Sequence, residues 1–259
     1  MNCFLLYFIF VFVDSLSADS LDKSATLNKP KISIVIDDLG DNSIIAKQML
    51  SLPAKMTAAI LPQTPHAEMI SEFATLNGHD VIMHLPMEAF TRPDLLGPGA
   101  LFSNMDQQTF KYVLEQNIAS IPNIIGFNNH MGSLLTEDEE KMQWLMQEAK
   151  NQSFLFLDSK TSQDSVAEDI ANQTGVPTIG RDIFLDHKGV DISIPEQFNK
   201  AKKIAHKIGK VVIICHPYPE TLDFLREQLA GLEYEFELVG LGDLTVDNSQ
   251  KLDLSSSAK

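Results

Sequence analysis

Cysteine is scarce in this chain: of 259 residues, only Cys3 and Cys215 carry a thiol. That excludes a disulfide framework and a thiolate-rich zinc site. Basic residues are also few, with 20 Lys and Arg against 35 Asp and Glu and a formal net charge of −15. Such a balance argues against binding nucleic acid and against adhesion to anionic lipid. Long apolar stretches are missing too. The opening run, residues 3–13, is well short of the ~20 residues needed to cross a bilayer. It suits the hydrophobic part of a secretory signal, with small residues up to Ala18 as a cleavage region, although no Lys or Arg precedes it. An uncleaved N-terminal anchor is the rival reading. The sequence thus predicts a signal peptide over 1–18, a polar linker over 19–30, a folded unit over 31–244 and a polar tail over 245–259. It further predicts export to the periplasm or cell envelope, with no stable membrane insertion after cleavage.

What the chain does have is a steady alternation of strand-like and helix-like segments, with 44% hydrophobic residues to build a core. Near-continuous apolar runs predict strands over 32–36, 56–61, 80–84, 124–127, 154–157, 178–185 (interrupted by polar residues), 211–215 and 236–241. Runs without a polar face imply burial on both sides, as parallel strands require. Helical spacing occupies 106–120 and 163–173. Thr136 through Glu139 reads as a capping box opening a helix to Lys150, and Pro195 suits the first turn of a helix closed by Gly209. Repeated β-then-α units point to a single-domain α/β fold, either a barrel or a doubly wound sheet. No internal repeat or low-complexity block interrupts the pattern.

The strand ends decide between those two. The first strand stops at Asp37-Asp38-Leu39-Gly40, the third at His84, the fourth at Asn128-Asn129-His130, the fifth at Asp158, the sixth at Arg181-Asp182 and the seventh at His216. Active sites of alternating β/α folds gather at the carboxyl ends of strands. Chemistry at so many ends favours a closed barrel, since outer strands of an open sheet lie too far from a common centre. In Asp37-Asp38, one carboxylate is free to bind a metal while the other accepts a proton, because Asp41, Asn42 and Ser43 already supply the next helix's cap. With an aspartate, His84 and His130 make a carboxylate-plus-two-imidazole set suited to zinc. His216 is placed to donate a proton across the mouth. Arg181, Asp158, Asp182 and Asp186 are candidates to orient these groups.

Together these motifs resemble the polysaccharide deacetylases, and more closely the divergent polysaccharide deacetylase family. The resemblance runs from Lys31 to Leu241 and rests on Asp37-Asp-Leu-Gly40, His84-Leu-Pro-Met-Glu88, Asn128-Asn-His-Met-Gly-Ser133 and His216-Pro217. It implies an irregular seven-stranded (β/α) barrel and removal of N-linked acetyl groups from a cell-envelope or peptidoglycan-like glycan. By the same resemblance Asp37 is the base, Asp38 and His84 bind Zn2+ or another divalent metal, and His216 is the general acid. Mainstream members carry a second metal histidine four residues after the first, where this chain has Glu88. The missing ligand is then His130, with Glu88 as the alternative; Arg181 stands in for an arginine motif that is not recognisable. Asn128, Asn129, Glu88, Asp158, Asp182 and Asp186 remain as supporting or substrate-binding residues. A catalytically inactive carbohydrate-binding or cell-wall-remodelling accessory protein of the same fold is the competing expectation.

Overall fold

The apolar runs form strands buried on both faces, as their lack of a polar side requires. In the computed structural model, which describes residues 29–187 and 193–245, the chain begins with β1 (Lys31–Leu39), α1 (Ser43–Met49), β2 (Thr57–Ile60), α2 (Ala67–Leu76), β3 (Asp80–Met87) and α3 (Gln107–Ala119). It continues through β4 (Gly126–Met131), α4 (Glu139–Asn151), β5 (Leu155–Asp158), α5 (Ala167–Thr174) and β6 (Thr178–Gly180). The last part holds β7 (Ile183–Phe184), α6 (Ile194–Ile208), β8 (Lys210–Cys215), α7 (Pro219–Gln228) and β9 (Glu237–Val239). The expected signal peptide, most of the linker and nearly all of the polar tail lie outside the described residues. Among the described residues no helix is long and apolar enough to cross a membrane.

Every strand pairing is parallel. The sheet runs β6-β5-β4-β3-β2-β1-β8-β7, with β9 alongside the start of β1. Its two ends, β6 and β7, are separated in sequence only by Arg181 and Asp182, a span of ~10 Å at full stretch. The sheet must therefore curl until its edges nearly meet. The switch between edges is visible in the backbone: Arg181 N–H donates to Asp158 O at 2.9 Å, and Asp182 N–H donates to Val212 O at 3.0 Å. The strand predicted over 178–185 is thus two short strands shared between opposite edges. Counted as one, they give the seven-stranded irregular barrel.

Strand side chains alternate between two apolar layers. Ile32, Ile34, Ile36, Phe127, Phe156, Val211 and Ile213 pack outward against the helices. Val35, Ala59, Ile82, Leu155, Leu157, Val212 and Ile214 fill the barrel itself. Continuing that inner row toward the carboxyl ends reaches Asp37, His84, Asn128, His130, Ser159 and His216. The period of two alone therefore points these polar residues into one mouth. Cys215, on the outer row, is fully buried, and burial pushes its thiol well above the ordinary range.

Local rules place most helices. Asn42 caps α1, its Oδ1 accepting from Ile44 N at 3.0 Å and Ile45 N at 3.3 Å. Asp106 caps α3, accepting from Thr109 N at 2.7 Å. Pro195 sits in the first turn of α6, which Gly209 closes at φ 85°. Two starts differ from expectation. Helix α4 begins at Glu139 under Asp138, which accepts from Lys141 N at 3.1 Å. Thr136 instead lies in a 3-10 turn, its hydroxyl donating to Gly132 O at 2.8 Å, because it is needed to close the loop after β4. Likewise α5 starts at Ala167 rather than 163, since Ser165 turns its hydroxyl to Asp158 Oδ2 at 2.9 Å.

Candidate active site at the barrel mouth

At the end of β1 the two aspartates part company. Asp37 follows the inner row and is 2% exposed. Asp38 takes a left-handed backbone, φ 56°, at roughly 1–2 kcal/mol for a residue with a Cβ. The turn swings its carboxylate toward β3 and β4. Gly40 then carries the chain away at φ 138°, where a Cβ would collide with the Thr64 side chain. With Asn42 capping α1, neither aspartate is drawn into holding a helix.

Asp38 Oδ1 lies 3.2 Å from His84 Nε2 and 3.1 Å from His130 Nδ1. The two nitrogens are 3.1 Å apart. These edges approach the separation of about 3.3 Å between ligand atoms in a tetrahedral zinc shell. Among the described residues, Asp38, His84 and His130 form a group of metal-capable side chains converging within one coordination sphere. The second partners fix which ring nitrogen is available. Asn128 Nδ2 donates to Asp37 Oδ1 at 2.9 Å, since a carboxylate can only accept. Its Oδ1 must then face His84 Nδ1, which donates to it at 2.8 Å and leaves Nε2 with a lone pair toward Asp38. His130 Nε2 donates to Leu95 O at 3.2 Å, which leaves Nδ1 free in the same way. Second-shell bonds of this type hold metal ligands in the ligating tautomer.

Asp38 Oδ1 is itself buried and accepts no hydrogen bond of good geometry. An unsatisfied carboxylate oxygen facing two imidazole lone pairs fits a divalent cation by its donor chemistry. Burial opposes ionisation of Asp38, but His130 and His84 outweigh it and hold the carboxyl well below the usual range. Burial also opposes charge on His84, yet Asp37 and Asp38 push its pKa up to about 9. A proton on His84 and a cation would therefore compete for this place.

The other groups stand around that centre. Burial raises the pKa of Asp37, more than the nearby His84 and His216 lower it. His216 Nδ1 donates to Asp186 Oδ1 at 2.8 Å, and its backbone N–H reaches Asp186 Oδ2 at 2.8 Å. Thr221 Oγ1 also donates to Asp186 Oδ2, at 2.7 Å. The free Nε2 points to the mouth, 4.0 Å from Asp38 Oδ2. Two rings lie near parallel to it, Tyr218 at 5.3 Å and 17° and Phe184 at 6.3 Å and 20°. Burial disfavours its cation, but Asp186, Asp37 and Asp38 reverse that and raise the pKa.

Five of the expected residues do not join this cluster. Glu88 accepts from Ser103 N at 2.7 Å and Ser103 Oγ at 2.6 Å, so it secures its own loop and is not placed among the converging donors. Asp158 falls on the outer row of β5 and binds Lys160 N at 2.7 Å and Ser165 Oγ. Asp182 accepts from Val212 N at 2.8 Å, stapling β7 to β8. Asn129 holds the following loop through Ser159 N and Met131 O. Arg181 donates to Ser159 O at 2.7 Å and Lys160 O at 3.0 Å and lies 3.8 Å over the Phe184 ring, with no ion pair among the described residues. Residues not foreseen are Thr221, Tyr218, Phe184 and the Leu95 carbonyl; Ser159, beside Asp158 at the end of the fifth predicted strand, lies 3.2 Å from Asn128 Nδ2. Tyr218 and Thr221 follow His216-Pro217 closely enough to have been considered. A backbone carbonyl leaves no trace in residue type.

Fold and centre define a parallel (β/α) barrel with a two-histidine, one-aspartate cluster at its mouth. The sequence model described as divergent polysaccharide deacetylase matches residues 34–245, and the chain belongs to that family. It is 33% identical over 229 residues to the uncharacterized protein YibQ of Escherichia coli K12, covering 88% of this chain and 71% of that one. An uncharacterized protein of Haemophilus influenzae is 33% identical over 231 residues, covering 87% and 80%. Among solved structures, the uncharacterized protein ATU2773 of Agrobacterium tumefaciens C58 superposes with a TM-score of 0.78 at 21% identity, over 85% of this chain and 91% of that chain.

Proposed function

We propose that this protein is a metal-dependent hydrolase that removes N-linked acetyl groups from a cell-envelope glycan to which it is exported. The observation that carries the reading is the meeting of Asp38, His84 and His130 within 3.1–3.2 Å, with Asp37 and the Asp186–His216 pair beside them. Asp38 Oδ1, His84 Nε2 and His130 Nδ1 would hold zinc. Bound zinc supplies a Lewis acid that polarises the acetyl carbonyl and brings the pKa of its water to about 7.

The chain's own groups handle the protons. Asp37, buried and held by Asn128, accepts the proton of the attacking water. His216, whose cation Asp186 favours, gives its Nε2 proton to the nitrogen as the carbon–nitrogen bond breaks. The products are acetate and a free amino sugar. Asp37, its carboxyl raised by burial, is a stronger base than an exposed carboxylate. Tyr218 and Phe184, near parallel to the acid's ring, pack beside it.

The competing reading is a glycan-binding or wall-remodelling accessory protein that keeps the centre without turnover. What favours it is that Asp37 is oriented by a neutral amide, with Arg181 turned to backbone carbonyls instead. Acetate release from chitooligosaccharides and peptidoglycan fragments by the zinc-loaded protein separates the two. Acetate supports hydrolysis. Full zinc occupancy with bound glycan and no acetate rejects it.

A further inference from the structure

An open groove of about 830 Å³ lies on the same rim as the centre, between the loop after β3 and helix α3. We propose that it binds a neutral saccharide chain, extending from the sugar whose acetyl group reaches Asp38, His84 and His130. The inference rests on the glycan reading of the site and adds where the rest of the chain lies.

Position is the first argument. Pro93 and Leu96 line the groove. The carbonyl of Leu95, between them in the same turn, receives the hydrogen bond from His130 Nε2. Groove and centre therefore share a wall one turn of backbone thick. Chemistry is the second. None of the lining residues is charged, in a chain with 55 charged side chains (20 basic and 35 acidic). Arg92 and Asp94 beside it neutralise one another at 2.8 Å. What the groove offers is the exposed ring of Tyr112, the ring of Phe102 and the amides of Gln63 and Gln116. Flat rings beside planar amides suit a pyranose, whose C–H face is apolar and whose rim carries hydroxyls.

The floor is also built in advance. Buried Asn117 accepts from Gln63 Nε2 at 2.8 Å and donates to Gly99 O at 2.7 Å, tying two loops to α3. A Cβ at Gly99 would collide with that amide. With Nε2 so engaged, Gln63 has its Oε1 left for a hydroxyl donor.

The test is calorimetric titration of the full zinc-loaded chain with N-acetylglucosamine oligomers of one to six units, in parallel with acetate release. Affinity should rise with oligomer length. Tyr112→Ala and Gln116→Ala, both at exposed positions, should each weaken the long oligomers roughly five-fold. Binding of the monosaccharide, zinc affinity and thermal midpoint should stay as in the parent protein. Equal affinity for short and long oligomers, or unchanged affinity in both variants, overturns the groove. Acetate release with no length dependence would reject the groove and leave the hydrolase standing. Length-dependent binding without acetate would do the reverse.

Discussion

The two sides of the barrel mouth hold aspartates of opposite character. On the β7–β8 side Asp186 is filled: it accepts from the His216 ring, the His216 backbone and the Thr221 hydroxyl. On the β1–β3–β4 side Asp38 has a buried oxygen with no hydrogen bond, on a left-handed backbone, facing two imidazoles whose other nitrogens are already engaged. A saturated carboxylate can only orient and charge its histidine. An unsaturated one, set against two lone pairs, still has a coordination site to give. On the proposed reading, similar residues are divided between proton transfer and metal binding by how many donors reach each carboxylate.

That contrast predicts a hierarchy of effects. Asp38→Ala and His84→Ala should abolish acetate release and weaken zinc by well over the ~100-fold typical of losing a second-shell partner, as chelator competition will measure. His216→Ala should lower kcat by roughly 10²–10⁴-fold, the usual worth of a general acid, while zinc stays bound. Loss of zinc in that variant would erase the distinction between the two sides.

Asp186→Asn comes next and acts through pH. The acid must be charged, so activity is present below the raised pKa of His216 and lost as pH rises through it. Removing the Asp186 charge lowers that pKa and moves the alkaline limb of kcat to lower pH. Asn128→Ala should weaken zinc ~10–100-fold by freeing the His84 tautomer. It should also shift the acid limb upward, because its bond to Asp37 favours the carboxylate. Zinc affinity in the parent protein should fall about tenfold per unit as pH drops below about 9, where binding must displace a proton from His84. Proton release measured in buffers of different ionisation enthalpy checks this. Asp158→Asn, outside the cluster, should leave zinc affinity unchanged.

Much of this is legible in the amino-acid sequence. The apolar runs announced parallel strands, and the inner alternation from Val35 to Asp37, Ile82 to His84 and Ile214 to His216 follows from a period of two. Asn42 caps α1, one of the three residues Asp41, Asn42 and Ser43 that the sequence offers, so neither Asp37 nor Asp38 is needed there. A period of two fixes spacing but not phase. With strands apolar on both faces, the sequence alone does not say which polar residue at a strand end faces inward. Asp158 and Asp182 look as functional as Asp186 in one dimension, yet the first lies on the outer row and the second spends its carboxylate on Val212 N. Glu88 sits where mainstream relatives have a ligand, but Ser103, fifteen residues on, captures it. The Thr136 box failed because an aspartate two residues later competed for the same helix and won.

The most direct measurement is anomalous diffraction at the zinc edge from crystals grown with zinc. A single strong peak about 2.0–2.2 Å from Asp38 Oδ1, His84 Nε2 and His130 Nδ1 is the result this account requires. A peak bound through Glu88, or no peak at the mouth with zinc in excess, contradicts it.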